Sequence, residues 1–334
     1  MNRHDRQVRF APIGAEGQAR IAASKVLLVG AGATGSALAE SLLRAGIGEL
    51  VLFDRDLVDE GNLARQSLYT EEDLGRPKAE AARRRLSAID SQARIQAFVA
   101  DARPALLEPH LAGTDLILDG TDNFATRFML NDLALREKIP WIYTAAIGET
   151  AVCMPVLPGE TACLQCLYPE MPEDGLSCDA GGILHATVLA AAAMSVAEAL
   201  KILAGRPEAL IRRLRHREVW SGRRANLSTL EPRKGCPACE GNYRHLGALG
   251  DSLHVTVRCR DACHVSPPAG APSPDLRALA ARWPGARLGP YALELEVECI
   301  GFRIFPDGQA MVEGSGNREL AAKLYRRIFT DEVV

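Results

Sequence analysis

The chain has 334 residues, 47% of them hydrophobic, and its formal net charge is −3 at pH 7. That length can hold one large α/β domain and a smaller unit, while the small negative charge argues against a general nucleic-acid-binding protein. The polar N-terminus MNRHDRQVRF contains no apolar signal segment, so we expect a cytoplasmic protein, in which nine cysteines favour metal or thiol chemistry over a disulfide framework.

The first 24 residues are polar and amphipathic, and the segment after them, residues 25–54, predicts a nucleotide site. An apolar run reaches a glycine-rich turn, continues as an alanine-rich helical pattern and returns as a second apolar strand that ends in an aspartate. Glycines at such a turn let backbone N–H groups and the helix N-terminus approach phosphates, and the acidic side chain can bind a ribose hydroxyl. The residues assigned to these contacts are Gly30, Gly32, Gly35 and Asp54.

The next segment, residues 55–89, is richer in hydrogen-bond donors than a dinucleotide-binding fold requires, and it ends in a predicted helix. Cationic side chains at this place suit a triphosphate. The chain contains no GxxxxGK[ST] motif, so these side chains would do what a P-loop does elsewhere. We therefore expect ATP, rather than NAD, bound with the help of Asn62, Arg65, Gln66 and Lys78.

Predicted strands at residues 95–99 and 114–119 continue the sheet, and the second runs into Asp122 and Asn123. The carboxyl ends of strands line the ligand crevice of a doubly wound sheet, so these two side chains should lie beside the nucleotide. A carboxylate that faces a triphosphate needs a cation between them, which makes Asp122 a candidate Mg²⁺ ligand. An Asx-turn cap of the following helix is the alternative, and it is compatible with that role.

Two more strands are expected at residues 140–145 and 151–157, with Cys153 in the core. Residues 181–205 are apolar enough to mimic a membrane span. They are rich in alanine, which gains little in lipid, and they carry His185, Glu198 and Lys201. We therefore expect a buried core helix and no membrane association.

Two CxxC pairs flank that predicted helix. Each pair can bind one face of a tetrahedral ion, so together they predict a structural Zn²⁺ site. Between the pairs, Cys178 precedes the long helix, whose dipole would stabilise a thiolate, although Asp179 opposes that effect. A reactive thiol and a packing cysteine both remain open for Cys178. The expected zinc ligands are Cys163, Cys166, Cys236 and Cys239.

The pattern changes after the second cysteine pair. Short strands at residues 253–257, 291–298 and 301–305, with helices at 274–283 and 317–329, predict a small α+β unit. Cys259, Cys263 and His264 match no common metal-ligand spacing. The predicted architecture is therefore a Rossmann-like α/β domain with a mostly parallel sheet over residues 1–244, and a C-terminal unit of unknown role over residues 245–334.

Several separated motifs of this chain resemble those of the ThiF/MoeB/HesA family, bacterial relatives of ubiquitin-activating enzymes. The resemblance covers about residues 3–241, and the order of the motifs makes an accidental match improbable. The motifs are RHDRQ from Arg3, the GAGATG turn, Asp54, NLARQ from Asn62, Pro77-Lys78, DGTDN from Asp119, both CxxC pairs, and Cys178 before Ala180-Gly181.

The resemblance implies ATP-dependent adenylation of the C-terminal Gly-Gly carboxylate of a ubiquitin-like sulfur carrier protein, with release of pyrophosphate. In relatives, the position matching Asp54 binds the ribose, those matching Arg65 and Lys78 bind phosphates, and that matching Asp122 serves Mg²⁺. The position matching Arg6 reaches the ATP site of the other subunit, which implies a homodimer.

The resemblance also bears on sulfur transfer. In some relatives the cysteine matching Cys178 forms a thioester or an acyl disulfide with the carrier, and in others it is dispensable. His4 departs from the tyrosine that relatives often carry. The chain has no room for a rhodanese domain, so the sulfur would come from another protein, such as a cysteine desulfurase.

Three alternatives to carrier adenylation stay open: a tRNA-modifying dehydratase, a non-catalytic scaffold and an NAD-dependent dehydrogenase. The lack of a basic surplus counts against the first, and the dehydrogenase leaves Arg65, Lys78 and the zinc site without a purpose. The sequence does not identify the carrier, and so does not choose among thiamine biosynthesis, molybdenum cofactor biosynthesis and tRNA thiolation.

Overall fold

The structure is a computed structural model that describes residues 3–172, 182–247, 253–259, 261–268 and 271–330. The chain divides into two compact units, Met1–Leu246 and Gly247–Val334.

The first unit is built on an eight-stranded sheet of order β3-β2-β1-β4-β5-β6-β7-β8. The first five strands run parallel, and β6, β7 and β8 extend the sheet with antiparallel pairings. This arrangement confirms the predicted mostly parallel, Rossmann-like fold. The strands are β1 Lys25–Val29, β2 Glu49–Phe53, β3 Arg94–Phe98, β4 Leu116–Asp119, β5 Trp141–Ile147, β6 Thr150–Val156, β7 Arg213–Glu218 and β8 Arg224–Ser228.

Helices cover both faces of this sheet. Successive side chains of a strand point to opposite faces, so Val26 and Leu28 of β1 join one hydrophobic cluster while Leu27 and Val29 join the other. That division explains why the strand reads as a continuous apolar run. The helices are α1 Asp5–Val8, α2 Gly14–Ala23, α3 Ala33–Ala45, α4 Glu60–Leu63, α5 Lys78–Ile89, α6 Pro104–Leu107, α7 Phe124–Glu137, α8 Leu164–Leu167 and α9 His185–Leu203.

The two helices that follow β1 and β4 have well-defined ends. Helix α3 follows the glycine turn and ends at Gly46, which adopts the left-handed conformation with φ of 90°. Helix α7 begins where the Asn123 side chain accepts a hydrogen bond of 2.9 Å from the Thr126 N–H. The cap of α7 is therefore Asn123 and not Asp122, which corrects the alternative considered for Asp122.

Helix α9 is the one helix in the described part of the chain that is long and apolar enough to cross a membrane. It lies against α3 and against strands β5 and β6. Val188, Ala191 and Ala199 are fully buried there. Its apolar side chains thus contribute to the core on one face of the sheet.

The second unit is an antiparallel sheet of order β11-β12-β13-β14-β10-β9 with two helices. Its core includes Phe302 and Ile304 from the sheet and Leu324 and Ile328 from the last helix. Strands β10, β11 and β14 were not expected from the sequence. The strands are β9 His254–Cys259, β10 Ala262–Ser266, β11 Arg287–Leu288, β12 Leu293–Val297, β13 Ile300–Ile304 and β14 Ala310–Glu313, and the helices are α10 Leu276–Arg282 and α11 Arg318–Phe329.

Candidate functional site

Three glycines bring the ends of β1 and β4 and the start of α3 into contact. A Cβ on Gly35 would lie 1.8 Å from the Gly30 carbonyl oxygen, and one on Gly30 would lie 2.6 Å from the Gly120 carbonyl oxygen. Gly32 differs, because the nearest atom to its added Cβ is the Gln66 side-chain nitrogen at 3.9 Å. The turn thus uses Gly30, Gly35 and Gly120 for close packing and leaves open space in front of Gly32, where a phosphate can approach.

Asp54 is held against this turn at the end of β2. Its carboxylate accepts hydrogen bonds of 2.6 Å from the Ala31 N–H and 2.7 Å from the Asp56 N–H. Burial and the neighbouring Asp56 carboxylate raise the pKa of Asp54, whereas Lys78 and the two backbone N–H groups oppose that shift. The contact with Ala31 places the carboxylate beside the glycine turn. A ribose attached to a phosphate bound at that turn would lie within reach of the carboxylate.

Lys78 stands at the first position of α5 and is almost fully buried. Its Nζ lies 3.3 Å from a carboxylate oxygen of Asp56. The Tyr69 hydroxyl donates to the carbonyl oxygen of Ala31 at 2.8 Å and approaches that of Lys78 at 3.2 Å. Sequence reasoning missed both Asp56 and Tyr69. Asp56 lies two positions after Asp54, and that DxD spacing is the signal that could have identified it.

The loop that carries the other predicted phosphate contacts is folded around α4. Asp59 and Asn62 close a capping box at the start of this helix, and the Arg65 side chain donates to the Gly61 carbonyl oxygen at 2.6 Å. Gln66 is buried, and its Oε1 has no hydrogen-bond partner within the described ranges. A buried acceptor beside the glycine turn is a group that a bound ligand can satisfy.

The loop after β4 is organised by a buried arginine, Arg127 of α7. Its Nε donates to the Asp119 carboxylate at 3.1 Å and its Nη2 to the Thr121 carbonyl oxygen at 2.6 Å. The Thr121 N–H and hydroxyl also donate to Asp119. This network holds the backbone directly before Asp122, whose side chain is exposed. Sequence reasoning did not single out Arg127.

Arg6 lies away from this group. Its neighbour Gln7 donates to the carbonyl oxygen of Ala45, the last residue of α3, at 2.9 Å. Thirteen helical residues separate that end of α3 from the glycine turn, a distance of about 20 Å at 1.5 Å per residue. The Arg6 side chain is exposed and does not lie at the glycine turn of its own chain.

The four predicted cysteine ligands lie together, with their sulfur atoms within 4.8 Å of one another. Three of the separations are 3.7 Å for Cys163–Cys166, 3.7 Å for Cys163–Cys236 and 3.5 Å for Cys166–Cys239. A tetrahedron with Zn–S bonds of about 2.3 Å has edges of about 3.8 Å, whereas a disulfide needs about 2.05 Å. The thiols therefore fit a tetrahedral metal ion.

The structure brings most of the predicted nucleotide contacts to one edge of the sheet. Arg6 is apart from them, and Cys178 lies outside the described residues. Cys263 and His264 are buried in the second unit and do not belong to the cysteine cluster, the one cluster of potential metal ligands found in the described ranges. Asn62 and Arg65 lie in and just after α4, in the loop that leads to Gln66. The other residues predicted to contact the nucleotide lie around the carboxyl ends of β1, β2 and β4, and they are Gly30, Gly32, Gly35, Asp54, Gln66, Lys78, Asp122 and Asn123.

Comparison with known proteins identifies the family of the chain. The model of the ThiF family matches residues 4–238. The sulfur carrier protein ThiS adenylyltransferase of Bacillus subtilis is 34% identical over 333 residues, 97% of this chain and 98% of the relative. The Escherichia coli protein of the same name is 33% identical over 245 residues, 72% of this chain and 95% of the relative.

Solved structures share the fold at lower identity. A crystal structure of E. coli MccB with ATP aligns with a TM-score of 0.61 at 21% identity, over 72% of this chain and 74% of that one. The family model covers well over half of the chain, and one relative matches along nearly its whole length. The chain belongs to the ThiF family.

Proposed function

We propose that this protein is an adenylyltransferase that uses ATP to activate the C-terminal carboxylate of a ubiquitin-like sulfur carrier protein and releases pyrophosphate. The proposal rests on the observation that the glycine turn, Asp54 and Lys78 lie together at the carboxyl edge of the sheet. Its nearly full-length relative from B. subtilis is named a ThiS adenylyltransferase. The reaction consumes ATP, which favours the cytoplasm as its location.

Adenylation of the carrier requires alignment of the reactants and neutralisation of phosphate charge more than it requires a general base. The carrier carboxylate is already a nucleophile, and it must be held in line with the α-phosphorus while pyrophosphate leaves. Backbone N–H groups at the glycine turn would bind phosphate oxygens. Lys78 would exchange its contact with Asp56 for a phosphate, and Arg65 would neutralise further charge.

A Mg²⁺ ion bound with the nucleotide would supply the remaining positive charge. Asp122 is the ligand that we assign to it, because its side chain is exposed at the carboxyl edge of β4 and its backbone is held by the Asp119–Arg127 network. The adjacent Asn123 keeps α7 in place as its cap and lies next to the same edge.

Arg6 would act in the site of a second subunit, in a homodimer. Its neighbour Gln7 binds the far end of α3, about 20 Å from the glycine turn. An exposed arginine there is available to a partner chain, and the resemblance assigns the matching position to the other subunit's ATP.

The cysteine cluster would hold one structural Zn²⁺ ion per chain as four thiolates. It joins segments more than sixty residues apart in sequence, and such an ion contributes directly to folding. Metal analysis of the purified protein should give about one zinc per chain. A metal-free preparation that is folded and active would contradict this assignment.

Sulfur transfer would follow adenylation, with a cysteine desulfurase as the donor. Cys178 is the residue that we assign to this later step, because its thiolate can attack the acyl carbonyl of the adenylate, which forms a thioester and releases AMP. Acyl-adenylate formation needs only alignment and charge neutralisation, so Cys178→Ala should leave it nearly intact.

The proposed function is tested by carrier-dependent exchange of pyrophosphate into ATP. We expect exchange with the wild-type protein and the carrier that co-purifies with it, and loss of exchange in Asp122→Ala, because phosphate charge is then unscreened. Glu137→Ala, an exposed change at the last residue of α7, the helix that follows Asp122, is the control. Wild-type exchange in Asp122→Ala would remove this residue from the mechanism, and tighter binding of NAD than of ATP would overturn the nucleotide assignment.

A further inference from the structure

Two adjacent residues in the middle of α7, Asn131 and Asp132, are polar and fully buried. The proposed chemistry uses neither of them. Buried polar side chains cost free energy unless their hydrogen bonds are made. The partners of these two side chains therefore indicate what they do.

Asn131 binds the segment that carries the first cysteine pair, and Asp132 binds the chain six residues after the second pair. Asn131 Oδ1 accepts a hydrogen bond of 2.8 Å from the N–H of Leu164, the residue directly after Cys163. Asp132 Oδ2 accepts one of 2.9 Å from the N–H of His245, which follows the second pair. The Asn131 amide donates to the other Asp132 oxygen at 3.3 Å. One short stretch of α7 thus contacts the first half of the metal cluster directly and the chain that leads away from the second half.

The first turns of the same helix hold the proposed Mg²⁺ ligand. Asn123 caps α7, and Arg127 binds Asp119 and the Thr121 carbonyl oxygen on the chain just before Asp122. About nine residues separate Asp122 from Asn131, or about 13 Å along a helix. A helix of that length is stiff, and residues near its start and its middle therefore shift together.

We propose that Asn131 and Asp132 are positioning residues that link the cysteine cluster to the ATP site through α7. Metal binding at the cluster and Mg–ATP binding at the start of the helix then favour each other. The inference rests on the proposed function for its nucleotide, and it goes further by giving the metal site an effect on ATP affinity.

Reciprocity makes the inference measurable. If the metal raises the affinity for Mg–ATP by some factor, Mg–ATP must raise the affinity for the metal by the same factor. We expect a factor of about 5 or more, which is the lower end of typical coupling between sites. Zinc affinity is measured by chelator competition with and without Mg–ATP, and Mg–ATP affinity is measured by calorimetry on the zinc-loaded protein, so that calorimetry does not require a folded metal-free protein.

Variants separate this link from a general effect on folding. Asn131→Ala removes the acceptor for Leu164, and Asp132→Asn keeps the shape of the side chain while weakening its charge-assisted bond. Asn131→Ala should bring the coupling factor close to 1, and Asp132→Asn should lower it. Arg136→Ala, an ion-paired residue at the exposed end of the same helix, should leave the factor unchanged. Circular dichroism of each zinc-loaded variant establishes that it is folded, and Asp132→Asn serves if Asn131→Ala does not fold.

The outcomes are distinct. A factor of 1 in a wild-type protein that binds Mg–ATP would overturn the link, and so would an unchanged factor in a folded Asn131→Ala or Asp132→Asn variant. A wild-type protein that holds zinc but binds no ATP would instead overturn the proposed function, and the link with it. Coupling that is present in the wild type and in Arg136→Ala, lost in Asn131→Ala and reduced in Asp132→Asn, supports the inference.

Discussion

At the scale of single residues, the glycines of the glycine turn serve two different purposes. Gly30, Gly35 and Gly120 lie so close together that an added Cβ on any of them would meet backbone atoms well inside contact distance. Gly32 faces open space instead. The two kinds of glycine should therefore respond differently to the same substitution.

Gly35→Ala should lower the free energy of unfolding by about 3 kcal/mol or more, as an overpacked site does. Gly32→Ala should lower the free energy of unfolding by less than about 1 kcal/mol, because it changes only a helix cap. It should also lower the affinity for ATP, since the new methyl group occupies the space through which a phosphate would approach. Urea denaturation and calorimetry with ATP check the pair. Equal stability of both variants would contradict this account of the turn.

At the scale of elements, the loop that follows α4 depends on one buried carboxylate. Asp73 accepts hydrogen bonds from the Thr70 N–H at 3.0 Å, from Arg84 at 2.6 Å and from Arg85 at 3.0 Å. Burial alone would raise the pKa of Asp73, but these bonds outweigh it and hold the pKa below its usual 3.8. The bonds fasten the loop to α5, which begins with Lys78.

Asp73→Asn should lower the free energy of unfolding by about 1–3 kcal/mol at pH 7, because charge-assisted bonds to a buried group are lost. A lowered folded-state pKa stabilises the protein above pH 3.8, and this contribution is lost as the pH falls through the folded-state pKa. The difference between wild type and variant should therefore shrink below about pH 4. Urea denaturation as a function of pH measures it, with exposed Glu71→Gln as the control. A difference that stays constant below pH 4 would disagree with the lowered pKa.

At the scale of the whole molecule, the position of Arg6 predicts that each active site is built from two chains. Arg6→Ala and Asp122→Ala should each be inactive as homodimers. A heterodimer of these two variants should recover about half of the wild-type exchange activity, because one of its two symmetric sites then has both residues. Coexpression with two different affinity tags isolates that heterodimer.

The matched control carries both substitutions on one chain, paired with a wild-type chain. If Arg6 acts on the partner's ATP, each site of this heterodimer lacks one residue, and the activity should be near zero. If Arg6 acts within its own chain, this control keeps one intact site, and the first heterodimer keeps none. The two heterodimers therefore give opposite results under the two arrangements.

Much of the fold could be predicted because its signals are local in sequence. The strand, glycine turn and helix of residues 25–54, and helix α5 from Lys78 to Ile89, follow from apolar periodicity and from glycine positions. The two CxxC spacings predicted the cysteine cluster, whose four thiols the structure brings together. In the second unit the periodicity identified the helices but missed the short strands β10, β11 and β14. Strands β10 and β14 pair with each other although they lie more than forty residues apart in the chain.

The sequence by itself determined the fold class, the family and the chemical types present at the nucleotide edge, because turn chemistry, periodicity and ligand spacing depend on residues near one another in the chain. Only the tertiary structure decided which polar groups meet: Lys78 with Asp56, Arg127 with Asp119, and Asn131 and Asp132 with the two cysteine segments. Such pairs join residues up to 113 positions apart. They form because burial in the folded core forces each polar group to find a partner in space, and no local pattern specifies which one.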